Sequence, residues 1–226
     1  MRPFWKRTNR GLWLGLALLV VLLAVIIIGE IRFRMEKPKI NQLGMDYLSD
    51  LLQVNAQTGD AVGGTPLTEE QKKAQSDALE AVILKYWYQG ETDVGDEKYR
   101  ADDLRDLLKK WQKDAPCVMT DLKLTWMTDK NDFYIGKDGP NRAVFHFLVT
   151  ASATVHGGKP LAKNSVVLFP AANLTSSDFD EIDIGDWTME GTFSVQLELE
   201  RRGKDWKVVG MSSTIGSNYT YGGYYE

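Results

Sequence analysis

The chain has 226 residues, with 27 Lys/Arg against 31 Asp/Glu, one cysteine and two histidines. The single cysteine, Cys117, excludes an intramolecular disulfide and a cysteine-based zinc site, and two histidines cannot form a three-histidine zinc site. Residues 1–39 carry a net charge of +6 and the remainder −10, so we expect no nucleic-acid binding by the acidic remainder.

Residues 11–29 form an apolar run of nineteen residues without a charge. As a helix this run spans about 28 Å, close to the hydrocarbon thickness of a bilayer. A helix also satisfies every backbone N–H and C=O internally, as lipid requires. We therefore predict a transmembrane helix at 11–29, after a tail at 1–10. The alternative is a cleaved secretory signal, which would have a shorter apolar run and a small-x-small cleavage site.

Four Lys/Arg precede the apolar run and four follow it closely, so the positive-inside rule gives a near tie. The tail at 1–10 is short and basic, which favours leaving it in the cytoplasm while the C-terminal mass crosses. We predict a single-pass protein of the cell membrane with a cytoplasmic N-terminus and an extracytoplasmic C-terminal domain.

The segment 30–66 is predicted to be a membrane-proximal amphipathic helix and linker. Pro38 marks the exit from the membrane because it cannot donate a hydrogen bond into a continuing helix. Apolar residues recur at helical spacing over 39–55, and 57–66 is rich in Gly and polar residues, as in a flexible connector.

Two helices are predicted next. Thr68 and Gln71 form a capping-box pattern at the start of the first, which ends at Gly90. The second runs near 98–113, and Pro116 closes the helical half. The apolar stripes of the two helices consist of Leu79, Val82, Ile83, Tyr86 and Trp87, and of Leu104, Leu107, Leu108 and Trp111.

From residue 117 the apolar period changes from 3.6 to 2, which indicates strands. Asp129–Asn141 is predicted to be a turn-rich loop, and the Tyr/Gly-rich end, 215–226, a low-complexity tail. The predicted strands are 118–126, 143–156, 165–169, 192–200 and 206–212, the last two joined as a hairpin.

Helices followed by antiparallel strands predict an α+β fold, with the helices packed on one face of a curved antiparallel sheet. The stretch Val195–Gly210, an alternating strand followed by a charged turn and Trp-Lys-Val-Val, resembles the last hairpin of the nuclear-transport-factor-2-like (cystatin-like) superfamily. The resemblance covers roughly 68–214, and we place the domain at 67–214. With its membrane anchor, the chain is similar to bitopic scaffold subunits of bacterial type IV secretion and conjugation systems, and to mammalian-cell-entry-associated membrane proteins.

No catalytic motif for a serine elbow, a zinc protease or a phosphate loop is present. His146 has two interpretations: it is a half-buried histidine on the second face of the sheet, or it is a base that lines a pocket. His156, beside two glycines, reads as a turn residue. Enzymes of the resembled superfamily hold an acid or histidine base with tyrosine donors in an apolar pocket. The analogous residues here are Asp121, Tyr86 and Tyr88. The simpler interpretation is that Asp121 is a solvated acid and that the two tyrosines pack between helices.

Other reactive residue types also have simpler interpretations. Cys117 is expected to be a buried small residue. Five carboxylates between Asp178 and Asp186 lack the spacing of a calcium loop. We interpret them as a solvated acidic loop or as a surface that faces a basic partner. The carboxylates are Asp178, Asp180, Glu181, Asp183 and Asp186.

Three functions are therefore weighed. The first, which we favour, is a non-enzymatic scaffold of a bacterial envelope complex for secretion, conjugation or transport, without catalytic, cofactor or metal site. Its partners would be other membrane-complex subunits or further copies of itself, with residues 11–29 in the membrane. The second is an apolar-ligand or lipid-binding module, and the third a pocket isomerase or dehydratase.

Overall fold

The computed structural model describes residues 10–56, 67–95, 98–114, 118–126, 133–156 and 187–224. The chain forms two compact units, Met1–Lys39 and Ile40–Glu226. The predicted strand at 165–169, the linker at 57–66 and the acidic run at 178–186 lie outside the described residues.

Three helices precede five strands in the described chain: α1 (Arg10–Ala56), α2 (Glu69–Tyr86), α3 (Ala101–Asp114), β1 (Val118–Trp126), β2 (Phe133–Lys137), β3 (Arg142–His156), β4 (Trp187–Arg202) and β5 (Asp205–Tyr224). This order of helices and antiparallel strands confirms the predicted α+β fold.

The α1 helix is long and apolar enough to cross a membrane, with a mean hydropathy of 3.0 in its most apolar window. Its apolar side chains over 12–28 are exposed, with Leu18 at 70% and Ile28 at 65%. In water such a surface would be unfavourable, whereas acyl chains accept it.

The helix does not stop at Pro38, although we predicted an interruption there. Proline removes one intrahelical hydrogen bond, and that loss is confined to one turn of a helix of 47 residues. The apolar stripe after Pro38 is buried in the second unit, which favours continued helix. It includes Ile40, Tyr47, Leu48, Leu51 and Leu52.

The boundaries of the folded unit also differ from our expectation of 67–214. Its N-terminal part is Ile40–Ala56, which we had assigned to a membrane-proximal segment. Gly44 explains the packing, because a Cβ at this position would collide with the ring of Phe145 on β3. Only glycine lets the helix approach the sheet this closely.

The α2 helix begins as predicted. Thr68 Oγ1 accepts a hydrogen bond from Gln71 N at 3.2 Å, and Gln71 Oε1 accepts one from Thr68 N at 2.8 Å. Arg105 of α3 then binds both carboxylate oxygens of Glu80 on α2 at 2.8 Å. These contacts fix α2 against α3.

The strands form one antiparallel sheet in the order β1-β3-β4-β5, and β2 pairs with the first half of β3. Alternate residues on β3 and β4 face the helices and are fully or almost fully buried: Ala143, Phe145, Phe147, Val149, Val195, Leu197 and Leu199. The residues between them are half-buried, as a period of two requires.

Two strand segments were missed by the sequence reading. We predicted a loop over 129–141, but Phe133–Lys137 pairs with β3 as β2. The apolar run there is only three residues long and precedes Gly and Pro turn signals. We predicted a tail at 215–226, but β5 continues to Tyr224 and pairs with β4. The glycines of this segment give it a low strand propensity, because glycine is generally depleted in strands.

Candidate functional site

A half-open cleft of about 290 Å³ lies between the end of α1 and the second half of α2, within the folded unit. Two of the residues that line it on α2, Ala78 and Ala81, have short side chains. Its lining consists of Asp50, Gln53, Val54, Ala78, Ala81, Val82 and Lys85.

One end of the cleft is polar. Lys85 Nζ donates to Asp50 Oδ2 at 2.9 Å, and the Tyr86 hydroxyl donates to the same oxygen at 2.7 Å. The Lys85 ammonium also lies 4.7 Å from the centre of the Tyr86 ring, within cation–π range. One carboxylate oxygen is therefore held by two donors.

These contacts shift the acid–base behaviour of the three groups. Burial opposes ionisation of Asp50, but the hydrogen bonds from Lys85 and Tyr86 outweigh it, so the pKa of Asp50 is lowered. Contacts with Tyr86 and Asp50 raise the pKa of Lys85. Burial raises the pKa of Tyr86. Near neutral pH the cleft therefore carries a carboxylate, an ammonium and a neutral phenol.

The polar end is fixed by the last turn of α2, where the carbonyl groups of Ile83 and Lys85 accept hydrogen bonds. Lys207 Nζ on β5 donates to the Lys85 carbonyl at 2.7 Å. Gln89 Nε2 donates to the Ile83 carbonyl at 3.2 Å, and Trp87 N donates to the same oxygen at 2.9 Å. This capping holds Lys85 and Tyr86 in place beside Asp50.

Beneath the helices, the interior is filled by side chains of the protein itself. Tyr47 of α1 is fully buried, and its hydroxyl lies 3.4 Å from Met211 Sδ. Its ring makes edge contacts with Tyr86 and Trp87 at centroid distances of 5.6 and 6.1 Å. Burial strongly raises the pKa of Tyr47, so this phenol stays neutral.

The structure places His146 where the simpler interpretation put it, half-buried on the second face of the sheet. Its Nε2 lies 2.8 Å from Ser194 Oγ, a partner that the sequence did not reveal because 48 residues separate the two. The pair resembles a nucleophile–base dyad. However, the backbone amides around it belong to the ladders of β3 and β4, which leaves them unavailable as oxyanion donors.

The remaining candidates are not brought together. Asp121 is exposed at a bulge of β1, with φ of 54°, whereas the carboxylate beside Tyr86 is Asp50. Tyr88 lies beneath the Arg202 guanidinium at 4.1 Å. The backbone of His156 ends β3, opposite Val118, so this residue is not in a turn. Cys117 and the acidic run lie outside the described residues.

Sequence reasoning missed Asp50 and Lys85 as a site. They are separated by 35 residues along the chain, and neither belongs to a motif. The only signal available was a charged residue at the edge of each apolar stripe, which surface helices show routinely.

Neither a protein-family model nor a curated protein matches the sequence. Two solved structures are similar in fold. A type 2 hexachlorocyclohexane dehydrochlorinase is 9% identical, with a TM-score of 0.42, covering 84% of this chain and 93% of its own. A candidate aromatic ring hydroxylase from Novosphingobium aromaticivorans is 12% identical, with a TM-score of 0.41, covering 81% and 90%.

Both neighbours have the nuclear-transport-factor-2-like fold that the sequence resembles. At these TM-scores the likeness says nothing about the site. The names of both neighbours are nevertheless those of enzymes. Our prediction that the protein is not an enzyme is therefore wrong, because a missing sequence motif does not exclude catalysis in this fold.

Proposed function

We propose that the protein is a single-pass membrane protein whose folded unit binds a partner protein through the cleft between α1 and α2. In this proposal residues 11–29 cross the cell membrane, the N-terminus is cytoplasmic and the domain is extracytoplasmic. The partner is another subunit of a bacterial envelope complex, of the secretion, conjugation or transport kind that the sequence resembles.

The observation that supports binding at this cleft is the contrast between a filled interior and an open surface gap. The interior is filled by fully buried side chains from α1, β3 and β4, namely Tyr47, Phe145, Phe147 and Leu197. The cleft is half-open, and its 290 Å³ lies at the lower end of small-ligand pockets. That size suits an inserted side chain of a partner better than a lipid chain.

Electrostatics also favour recognition at the cleft. The Asp50 carboxylate and the Lys85 ammonium stay charged near neutral pH, because each pKa is shifted away from neutrality. Fixed charges beside an apolar floor orient a partner and reject others. An exposed apolar residue, Leu84, lies on the same helix at 59% exposure and extends the contact surface.

A second candidate function is catalysis in the same cleft. It is favoured by one geometric observation, the 2.7 Å hydrogen bond between the Tyr86 hydroxyl and the Asp50 carboxylate. An acid beside a tyrosine donor is the combination that the resembled isomerases use. The lowered pKa of Asp50 keeps it ionised, which makes it a weak base.

Cross-linking of the full chain in its own membrane tests the binding proposal. Ala81→Arg fills the cleft, whereas Ala74→Arg places the same side chain on the same helix outside the lining. We expect the Ala81 variant to lose its cross-linked partner and the Ala74 variant to keep it. Equal cross-linking by both variants would contradict a cleft interface.

Asp50→Asn separates the two candidate functions. Under the binding proposal this isosteric change weakens the cross-linked complex, because it removes the charge of Asp50 and with it the ion pair between Asp50 and Lys85. Under the catalytic candidate it leaves association intact and abolishes turnover of any substrate found for the wild type. Tyr86→Phe is the companion variant, because it removes the Tyr86 hydroxyl that donates a hydrogen bond to the Asp50 carboxylate.

A further inference from the structure

Tyr134 on β2 is an exposed aromatic residue on the second face of the sheet, opposite the face on which the helices pack. It is 60% exposed, whereas the next residue, Ile135, points the other way and is buried. A Cβ at Gly136 would collide with the ring carbons and the hydroxyl of Tyr134, so the ring leans along the strand over this glycine. A leaning ring presents part of its face, rather than only its edge, to a molecule above the sheet.

Tyr88 has a similar arrangement in which the ring is covered. A Cβ at Gly90 would collide with the Tyr88 ring, so this ring also lies over the glycine two residues further on. The guanidinium of Arg202 lies 4.1 Å from the centre of the Tyr88 ring, within cation–π range. Glu200 forms an ion pair with the same guanidinium at 2.9 Å. The cation over this tyrosine ring is therefore accompanied by a carboxylate.

The side chains beside Tyr134 are of a different kind. Tyr134 is opposite His146 on β3, and His146 is opposite Gln196 on β4. Ser194 lies on the same face, with its Oγ 2.8 Å from His146 Nε2. An imidazole, an amide and a hydroxyl each offer both a donor and an acceptor of hydrogen bonds. None of these three side chains is a carboxylate.

The acid of this face nearest to the Tyr134 row is already paired. Glu198 lies opposite Val144 on β3, and its carboxylate forms an ion pair with Lys98 at 3.6 Å. A cation placed on the Tyr134 ring would lose hydration without a carboxylate of its own beside it, which is unfavourable. The contrast with Tyr88 therefore favours an uncharged ligand at Tyr134.

We propose that this face of the sheet binds a neutral sugar, with one pyranose ring stacked on Tyr134. The C–H groups of a pyranose face are apolar and slightly positive, and they complement the negative face of an aromatic ring. Sugar hydroxyls both donate and accept hydrogen bonds, which matches the side chains of His146 and Gln196.

The spacing of the strands sets the length of the ligand. The strands β2 and β4 are two strand spacings apart, about 10 Å, with β3 between them. An oligosaccharide can therefore stack one ring on Tyr134 and extend across His146 to Gln196 with the next. The helices pack on the opposite face, so this site is independent of the partner proposed for the α1–α2 cleft.

Saturation-transfer NMR on the full chain in phosphatidylcholine bicelles tests the proposal. The probes are cellohexaose and chitohexaose, which are neutral oligomers of glucose and of N-acetylglucosamine, and hexa-arginine as the cationic competitor. The variants are Tyr134→Ala, Tyr134→Phe and Gln196→Leu. Lys137→Ala is the matched control, because it truncates another exposed side chain of the same strand.

We expect the wild type to transfer saturation to at least one of the two sugars, and the stronger signal identifies whether an acetamido group is recognised. Tyr134→Ala should weaken the affinity about five- to tenfold, because it removes the stacking ring. Gln196→Leu should weaken it about threefold, because it removes hydrogen bonds. Tyr134→Phe and Lys137→Ala should stay within about twofold of the wild type, since the ring remains in both.

Four results would overturn the proposal: no transfer from the wild type to either sugar, wild-type affinity in Tyr134→Ala, an equal loss in Lys137→Ala, or Tyr134-dependent binding of hexa-arginine in preference to both sugars. The last result would assign the ring to a cationic side chain of a partner protein. If Tyr134→Ala has a lower unfolding midpoint than Tyr134→Phe, the comparison of Gln196→Leu with Lys137→Ala decides in its place, and equal affinities of these two variants would overturn the proposal.

Discussion

Two apolar parts of the same helix, α1, differ in pattern and in surroundings. Residues 11–29 are apolar on every side, and their side chains are exposed. Residues 40–54 are apolar on one stripe, and that stripe is buried, with polar residues such as Gln42 and Asp46 outside it. This contrast indicates that the periodicity of the apolar residues, rather than their number, decides whether a segment lies in lipid or in a protein core.

The largest effect is expected from charging the all-round apolar part. Leu19→Lys combined with Leu22→Lys should abolish membrane retention, because each lysine at the centre of a span costs about 2.5–3.5 kcal/mol. Membrane fractionation in carbonate measures the effect. Leu84→Lys, at an exposed position of α2, is the control and should stay in the membrane fraction. Retention of the double variant would show that 11–29 is not the anchor.

The next largest effect concerns the buried side of the comparison. Trp206 on β5 is 7% exposed, and we expect Trp206→Ala to lower the free energy of unfolding by about 3–5 kcal/mol. The strand pattern predicts the same for Phe193, whose side chain lies outside the described ones. Urea unfolding measures both.

Leu84→Ala, which truncates an exposed side chain, should cost under about 0.5 kcal/mol in the same assay. A loss below about 1 kcal/mol for both Trp206→Ala and Phe193→Ala would mean that the last hairpin does not pack on the helices.

A smaller and sharper test uses two glycines of α1. Gly44→Ala adds a methyl group that collides with Phe145, so we expect a destabilisation of about 1–3 kcal/mol. Gly15→Ala adds the same group where no atom other than those of its chain neighbours and its own helix backbone lies within 4 Å, and should leave the unfolding of the domain unchanged. Equal midpoints for the two variants would refute the close approach of α1 to the sheet.

The smallest effect is the pH dependence of the Glu80–Arg105 pair. The hydrogen bonds from Arg105 lower the pKa of Glu80 below its ordinary value of 4.5. Its stabilisation is therefore complete above that value and is lost as the pH falls through the lower folded-state pKa. Since both side chains are partly exposed, we expect only about 0.2–1 kcal/mol.

The measurement is the stability of Glu80→Gln relative to the wild type across acidic pH. The difference should shrink as the pH falls below 4.5. A constant difference for Glu80→Gln would argue against the ion pair.

The sequence predicted those features that depend on neighbours along the chain. The apolar run, the capping box at Thr68 and the alternation on β3 are all local patterns, and each is present in the structure. The helix through Pro38 was missed, because its stabilisation comes from tertiary burial of the following turns. The β2 and late β5 segments were missed for a related reason, since strands rich in turn residues depend on pairing with a neighbour.

The candidate site was less accessible to sequence reasoning. The Asp50–Lys85–Tyr86 cluster joins two helices, and its members had no shared spacing to reveal them. Tyr86 was singled out, but with Asp121 as its companion, because distance in space cannot be derived from residue types.

Site-directed spin labelling in bilayers tests the central contrast most directly. In a Cys117→Ser background, Val20→Cys places a label in the exposed apolar part of α1, and Gln42→Cys places one on the exposed side of the buried part. We predict that oxygen dissolved in lipid relaxes the label at 20, whereas a water-soluble nickel reagent relaxes the label at 42. Equal access of the nickel reagent to both labels would contradict a membrane-spanning segment at 11–29.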